Sequence, residues 1–346
     1  MITRLAADQF QLDAFAGGVK EQLVLTYEDA DGAVAELPVH LLKGSEPGPV
    51  LLILAAVHGD EYEGVQTIIE LGSMLSPAHI RGTLLMVPVA NRYAYRAADR
   101  LSPEDGRNLA REFPGDKEGS QTQRLAWHLG QALIDKADFL LDLHSGGTYY
   151  EVAELVGYYH NDQSDIGRRS RAAAEAFGME VLWGHAEVAP GRTVSYAGSR
   201  GIPWLYTEAA GGRRIKREEQ LRFRLGALRL MQHLQMLHEP DRWLAQHASS
   251  AAPAAPIAPV KLRYRLAGDG DFDGSVAADE AGFFIPVVEL LQQVSQGEEI
   301  GSLYSEFGEV KQRYTASCDG VIVGLAGTPV IAPGSMIYTI ALVHEA

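Results

Sequence analysis

Cysteine is nearly absent: Cys318 stands alone among 346 residues, so no intrachain disulfide can form. That scarcity favours a reducing, cytoplasmic setting. Cys318 lies in Ser317-Cys318-Asp319-Gly320, just ahead of an apolar stretch, and reads as a buried structural thiol rather than a nucleophile. Basic charge is also in short supply, with 30 Lys and Arg against 45 Asp and Glu and a formal net charge of −15. A surface that acidic repels phosphate backbones, and no basic patch offsets it, which argues against nucleic acid as a partner. The densest basic run, Arg213-Arg214-Ile215-Lys216-Arg217, leads straight into Glu218-Glu219 and reads as a helix start. Long hydrophobic runs are missing too. The longest, residues 50–57, falls far below the ~20 residues of a membrane span. The opening Met1-Ile2-Thr3-Arg4 lacks the charged-then-apolar pattern of a signal peptide. A soluble, cytoplasmic protein without a membrane partner is expected.

What is present is ordinary globular material, 46% hydrophobic and 22% charged, and the length points to two domains. The stretch 246–259 is Ala/Pro/Ser-rich and nearly chargeless, as a semi-extended linker should be. It divides the chain into residues 1–245 and 260–346. In the first part strands and helices alternate. Residues 50–57, 83–89, 139–143 and 203–207 read as strands. Helices are expected over 61–75, from the capping box Ser120-Gln121-Thr122-Gln123, over 170–177 and over 218–237. This order predicts a mostly parallel sheet with helices on both faces. After the linker, short apolar stretches separated by glycines predict a small all-β domain.

In α/β sheets, chemistry collects at the carboxyl ends of strands. Three predicted ends carry suitable groups. The first is His58-Gly59-Asp60-Glu61, where Gly59 lets the backbone turn sharply. The second is Asp142-Leu143-His144, whose alternation puts Asp142 and His144 on one side. The third is Glu208, followed by Gly211-Gly212. Two imidazoles and a carboxylate form a catalytic zinc set that leaves a position open for water. Asp142 could accept the proton on the second nitrogen of a ligating histidine, and Glu208 would be a base for the water. Asp60 and Glu63 read as solvated helix-start residues complementing the dipole. The competing reading treats all of these as structural polar residues at strand ends. The long loop from Asn91 to Gly115 is rich in arginine, the residue suited to carboxylates and oxyanions. Arg92, Arg96 and Arg107 read as partners of the loop's own acids.

Taken in order, His58-Gly59-Asp60-Glu61, the segment Asn91 to Arg100, Asn108-Leu109-Ala110-Arg111-Glu112-Phe113-Pro114-Gly115, Asp142-Leu143-His144 and Glu208 with Gly211-Gly212 resemble the succinylglutamate desuccinylase/aspartoacylase family, a branch of the zinc carboxypeptidase-like hydrolases. The resemblance spans roughly residues 45 to 240. It implies a three-layer α/β/α catalytic domain, Zn2+ held by His58, Glu61 and His144, and Glu208 as general base. It also implies that Arg100 polarises the scissile carbonyl and that Arg111 grips the substrate carboxylate. One departure stands out: the family usually has Asn directly before that last arginine, and here it is Ala110. Asn108, two residues earlier, is the candidate substitute in substrate binding. The tail is similar to the lipoyl- or barrel-sandwich-like domains of such deacylases. Its hairpin tip, Ser305-Glu306-Phe307-Gly308-Glu309, has no lysine to carry a cofactor.

The function implied is hydrolysis of the amide bond in a small N-acylated amino acid or related metabolite. Acetyl, succinyl and longer acyl groups all fit. An acylated diamino acid would suit the acidic balance and the altered clamp. The alternatives are a zinc carboxypeptidase acting on peptides and a metal-binding homologue impaired in catalysis. A homo-oligomer is expected only on the general habit of soluble enzymes.

Overall fold

The computed structural model of the chain describes residues 2–240, 243, 261–268 and 275–344. The linker expected at 246–259 lies outside the described residues. The first part runs β1 (Ile2–Ala6), β2 (Val19–Glu28), β3 (Val34–Lys43), β4 (Val50–Ala55), α1 (Glu63–Met74), β5 (Thr83–Val87), α2 (Arg92–Ala97), α3 (Gln121–Ala132), β6 (Phe139–Leu143), β7 (Tyr150–Val152), β8 (Leu155–Tyr159), α4 (Asp165–Phe177), β9 (Val181–His185), α5 (Thr193–Ser199), β10 (Trp204–Glu208) and α6 (Arg217–His233). The second part is all strand: β11 (Tyr264–Gly268), β12 (Val276–Ala277), β13 (Gly282–Pro286), β14 (Gln293–Val294), β15 (Glu299–Tyr304), β16 (Val310–Thr315), β17 (Gly320–Ala326), β18 (Val330–Ile331) and β19 (Met336–Val343).

The centre of the main sheet is parallel, in the order β5-β4-β6-β10. Its flanks are only partly so. β3 joins β5 antiparallel and β8 joins β10 antiparallel, so the sheet is mixed, although β1 with β2 and β8 with β9 pair parallel, the latter as the alternation of strand and helix predicts. The strands that sequence periodicity passed over explain the difference. β2 and β3 form an antiparallel pair with a one-sided pattern, burying Leu23, Leu25 and Tyr27 on one strand and Leu37, Val39 and Leu41 on the other. Such alternation marks a strand exposed on one face, not the continuous apolar run of a central one.

The run in β4 is continuous because both of its faces are covered. Leu52 and Leu54 enter a core shared with Leu125 and Leu129 of α3 and Val194 and Ala197 of α5. Leu51, Ile53 and Ala55 enter a second core with Ile68 and Leu71 of α1, Phe177 of α4 and Phe223 of α6. Each fully buried aliphatic side chain there contributes ~1.5–3 kcal/mol. The capping box at Ser120 and Gln123 opens α3 as the sequence indicates. Among the described residues, no helix is long and apolar enough to cross a membrane.

Two strand pairings join the second part to the first. β11 lies parallel to β9, with Gly268 beside His185, and β7 pairs with β17. A four-stranded sheet, β16-β15-β13-β18, packs its inner face around Phe284, Ile300, Leu303, Ile322 and Ile337. Cys318 is half-buried rather than buried, because it sits in the turn before β17 and not in the strand.

Candidate metal centre and catalytic cavity

The first strand end turns earlier than its apolar run. β4 stops at Ala55, and Ala56 takes a left-handed conformation with φ 50°. Ala55 and Ala56 carbonyls are taken up by the amides of Ala90 and Asn91 at 2.9 Å. The turn then carries His58 and Glu61 to the mouth of α1. Gly59 is needed there for space rather than for its dihedral freedom: a Cβ would come within 2.0 Å of the Ala94 backbone in α2. Gly64 likewise lets α1 close on Leu143 and Ala55, where a Cβ would lie 2.7 and 2.9 Å away. Close backbone contact therefore fixes where the first pair of side chains points.

The second strand end brings Asp142 and His144 alongside, because β6 neighbours β4 in the sheet. Glu61 is the meeting point. Its Oε1 lies 2.7 Å from His58 Nδ1, and its Oε2 lies 2.9 Å from His144 Nδ1. The amide of Ser145 donates to the same Oε2 at 3.2 Å, and Arg100 Nη1 donates to Oε1 at 3.3 Å. Donor atoms of His58, Glu61 and His144 all fall within 4.8 Å of one another. The remaining imidazole nitrogens face acceptors. His144 Nε2 is 3.0 Å from Asp142 Oδ2, and His58 Nε2 is 3.1 Å from Asn108 Oδ1. Two imidazoles with Nδ1 turned inward and Nε2 held by an oxygen, plus one carboxylate, are the donor set and backing that suit zinc.

Charges reinforce this arrangement. Burial would raise the Glu61 carboxyl, but His58 and His144 beside it hold it well below the usual carboxylate range. Burial would lower the His144 imidazole, yet Asp142 and Glu61 keep it well above its ordinary value. Burial, followed by the charge of Arg100, lowers His58. Across the cavity Glu208 is buried, and burial, with Glu61 and Asp142 adding to it against His144 and Arg100, pushes its pKa up to about 8. A carboxyl whose pKa lies near neutrality can both take and return a proton.

The cavity is lined by His58, Arg100, Arg111, Asp142, His144 and Glu208, together with Ala110. The Arg100 guanidinium lies over the Tyr150 ring, 5.0 Å from its centre. Arg111 Nη1 donates to the Ala110 carbonyl at 2.9 Å. Asn108 is set differently from the expectation. Its carboxamide oxygen faces His58 and also accepts from the Ala110 amide at 2.9 Å, so both contacts of that oxygen lie behind the His58-Glu61-His144 cluster.

Two carboxylates were misread. Asp60 and Glu63 are buried, not solvated, because the segment after β6 roofs the start of α1. Asp60 Oδ2 accepts from the Thr148 amide at 2.7 Å, and a Cβ on Gly147 would come within 2.6 Å of that carboxylate. Glu63 Oε2 accepts from the Tyr62 amide at 3.1 Å. In the long loop, Arg107 does pair with the loop's own Glu112 at 2.9 Å. Arg92 instead pairs with Glu36 of β3.

The cavity's other lining residues, Val188, Arg192, Thr193, Val194 and Tyr206, were not anticipated. The Pro190-Gly191-Arg192 turn before α5 supplies Arg192, and the first turn of α5 supplies Thr193 and Val194. A Cβ on Gly191 would come within 2.5 Å of the Arg111 carbonyl, so this turn seats directly against the Arg111 segment. The hydroxyl of Thr193 donates to Asp142 Oδ2, the oxygen that also faces His144. Alternation could have revealed Tyr206, which stands two residues before Glu208 on β10.

The whole chain shares its fold with solved hydrolases of one type. It superposes on a succinylglutamate desuccinylase/aspartoacylase from Rhodobacter sphaeroides with a TM-score of 0.80, at 26% identity over 97% of this chain and 98% of that one. A succinylglutamate desuccinylase from Silicibacter sp. TM1040 gives 0.81 at 24% identity, over 97% and 98% of the two chains. The profile of the succinylglutamate desuccinylase/aspartoacylase catalytic domain matches residues 47–234, more than half of the chain. The chain belongs to that family. It is also similar, at 29% identity over 98% of its length and 95% of the relative's, to the N-alpha-acetyl-L-2,4-diaminobutyric acid deacetylase of Halomonas elongata.

Proposed function

We propose that this protein is a zinc-dependent deacylase that hydrolyses the amide bond of a small N-acylated amino acid. The observation that carries the reading is the convergence of His58, Glu61 and His144 on one point, with the buried Glu208 lining the same cavity. Family membership and the deacetylase from Halomonas elongata support the reaction class.

His58 Nδ1, Glu61 and His144 Nδ1 would hold the metal. Zinc bound there supplies Lewis acidity that polarises a carbonyl and eases the ionisation of water. Asn108 and Asp142 keep the two imidazoles turned inward by accepting from their Nε2 protons. Arg100 donates to the substrate's carbonyl oxygen and steadies the negative charge that grows on it. Such a donor is typically worth ~3–4 kcal/mol in the transition state. Glu208 takes a proton from the attacking water as its oxygen bonds to the carbonyl carbon. The carbon–nitrogen bond then breaks, and Glu208 returns the proton to the departing nitrogen. Arg111 grips the carboxylate of the amino-acid half.

The test combines metal analysis with turnover of a mixed pool of N-acyl amino acids, acylated diamines and short peptides. Glu208→Gln should retain wild-type metal content while losing about 10²–10⁴-fold in rate. His144→Ala should lose metal and turnover together. Full activity in Glu208→Gln, or normal metal content in His144→Ala, would overturn the assignment. Trimming of the peptides alone would transfer the protein to the carboxypeptidases.

A further inference from the structure

One lining residue of the cavity, Tyr206, takes no part in the reaction described above. Tyr206 and Glu208 leave β10 on the same face, two residues apart, and both line the cavity. The Tyr206 ring lies across β8 in space left by its register partner Gly157, where a Cβ would come within 1.9 Å of the ring carbon Cε1. The ring stacks on His185, centre to centre 5.5 Å and 21° from parallel. Its hydroxyl lies 2.7 Å from His185 Nε2. His185 is completely buried, and burial keeps it neutral. Glycine clearance on one side and a buried imidazole on the other hold this tyrosine in a single place.

A phenol is a stronger acid than a neutral imidazole N–H, so the favoured bond runs from the Tyr206 hydroxyl to Nε2. With its proton committed to His185, the hydroxyl has only lone pairs to offer the cavity. It can accept a hydrogen bond there but not donate one.

We propose that Tyr206 is a specificity-determining residue whose hydroxyl accepts a hydrogen bond from an N–H of the amine half of the substrate, with His185 as the positioning residue that fixes the direction of that bond. The proposal rests on the deacylase reading and names a contact within it. The N–H belongs either to the scissile nitrogen or to a second amine of a diamino acid.

The experiment uses the metal-loaded full-length protein, with 2,4-diaminobutyrate and 2-aminobutyrate as probes. Calorimetry gives Kd for each, and steady-state kinetics gives KM and kcat for their N-acetyl forms. Tyr206→Phe should weaken binding and raise KM by about five- to tenfold, the effect of one lost hydrogen bond, with kcat little changed. Loss for both probes identifies the scissile nitrogen as the donor; loss for the diamine alone identifies the second amine. His185→Gln, whose amide oxygen can accept the same bond, should stay near wild type. His185→Phe should match Tyr206→Phe, and the double variant should lose nothing further. A Tyr206→Phe protein with a lowered Tm but unchanged Kd and KM would overturn the proposal and leave Tyr206 structural. If the wild type cleaves no N-acyl compound yet binding still falls in Tyr206→Phe, the deacylase reading fails and the contact stands.

Discussion

The two walls of the cavity are built differently. The metal wall takes His58 and Glu61 from the turn after β4 and Asp142 and His144 from the end of β6, adjacent strands of the parallel centre. Each side chain there is gripped at least twice, His58 by Glu61 and Asn108, His144 by Glu61 and Asp142. The facing wall takes Arg111 from a loop, Arg192 from the turn before α5, Thr193 from the start of α5, and Tyr206 from β10. Its parts meet through backbone contacts such as Gly191 against Arg111, and through the bond between Tyr206 and the buried His185. The metal wall relies on opposed charges held close. The facing wall combines two guanidiniums with the neutral Tyr206–His185 pair, is shaped by loop geometry, and meets the metal wall where Thr193 donates to Asp142.

Acid separates the two. Burial lowers the pKa of His185 from 6.5 to about 3. The unfolded chain therefore binds the His185 proton first as pH falls, and the fold loses stability between the two values. The contribution is complete above pH 6.5 and disappears toward pH 3, at no more than ~1.4 kcal/mol per pH unit. Denaturant melts of wild type and His185→Gln between pH 7 and pH 4 should converge as pH falls, because the variant lacks this titration. Parallel curves would mean that His185 is not held neutral. Smaller effects belong to the metal wall's backing. Asp142→Asn keeps the shape but weakens the acceptor behind His144, and should cost about 10–100-fold in metal affinity. Competition with a chelator measures this, and an unchanged affinity would show that Asp142 does not govern the ligand.

The metal wall was legible because its geometry is local. A strand end, a turn and two-residue alternation are enough to bring His58, Glu61, Asp142 and His144 to one edge of the sheet, and Glu208 follows from the neighbouring strand. The facing wall depends on which loops touch. Nothing in the local pattern says that Gly191 abuts Arg111, or that Asn108 turns its oxygen toward His58. Burial at the start of α1 was misread for the same reason. Asp60 and Glu63 look solvated until the segment around Gly147 and Thr148 is laid over them. The sheet's flanks were missed because β2 and β3 alternate, while the strands that announce themselves are the ones covered on both faces.

The smallest effect tests whether the facing wall can be tuned alone. Ala110 lines the cavity beside Arg111, and its amide is already engaged by Asn108. An asparagine there would add an amide donor next to the arginine without touching His58, Glu61 or His144. One neutral hydrogen bond contributes ~0.5–1.5 kcal/mol, so Ala110→Asn should lower KM by about two- to tenfold for an N-acyl amino acid with a second carboxylate. A monocarboxylate of the same length should gain less, and metal content should stay at the wild-type level. Steady-state kinetics on N-acetylaspartate and N-acetylalanine supplies the ratio. An equal change for both would mean that residue 110 alters the volume of the cavity rather than its chemistry. A fall in metal content would mean that the two walls are coupled through Asn108, whose oxygen spans the Ala110 amide and His58.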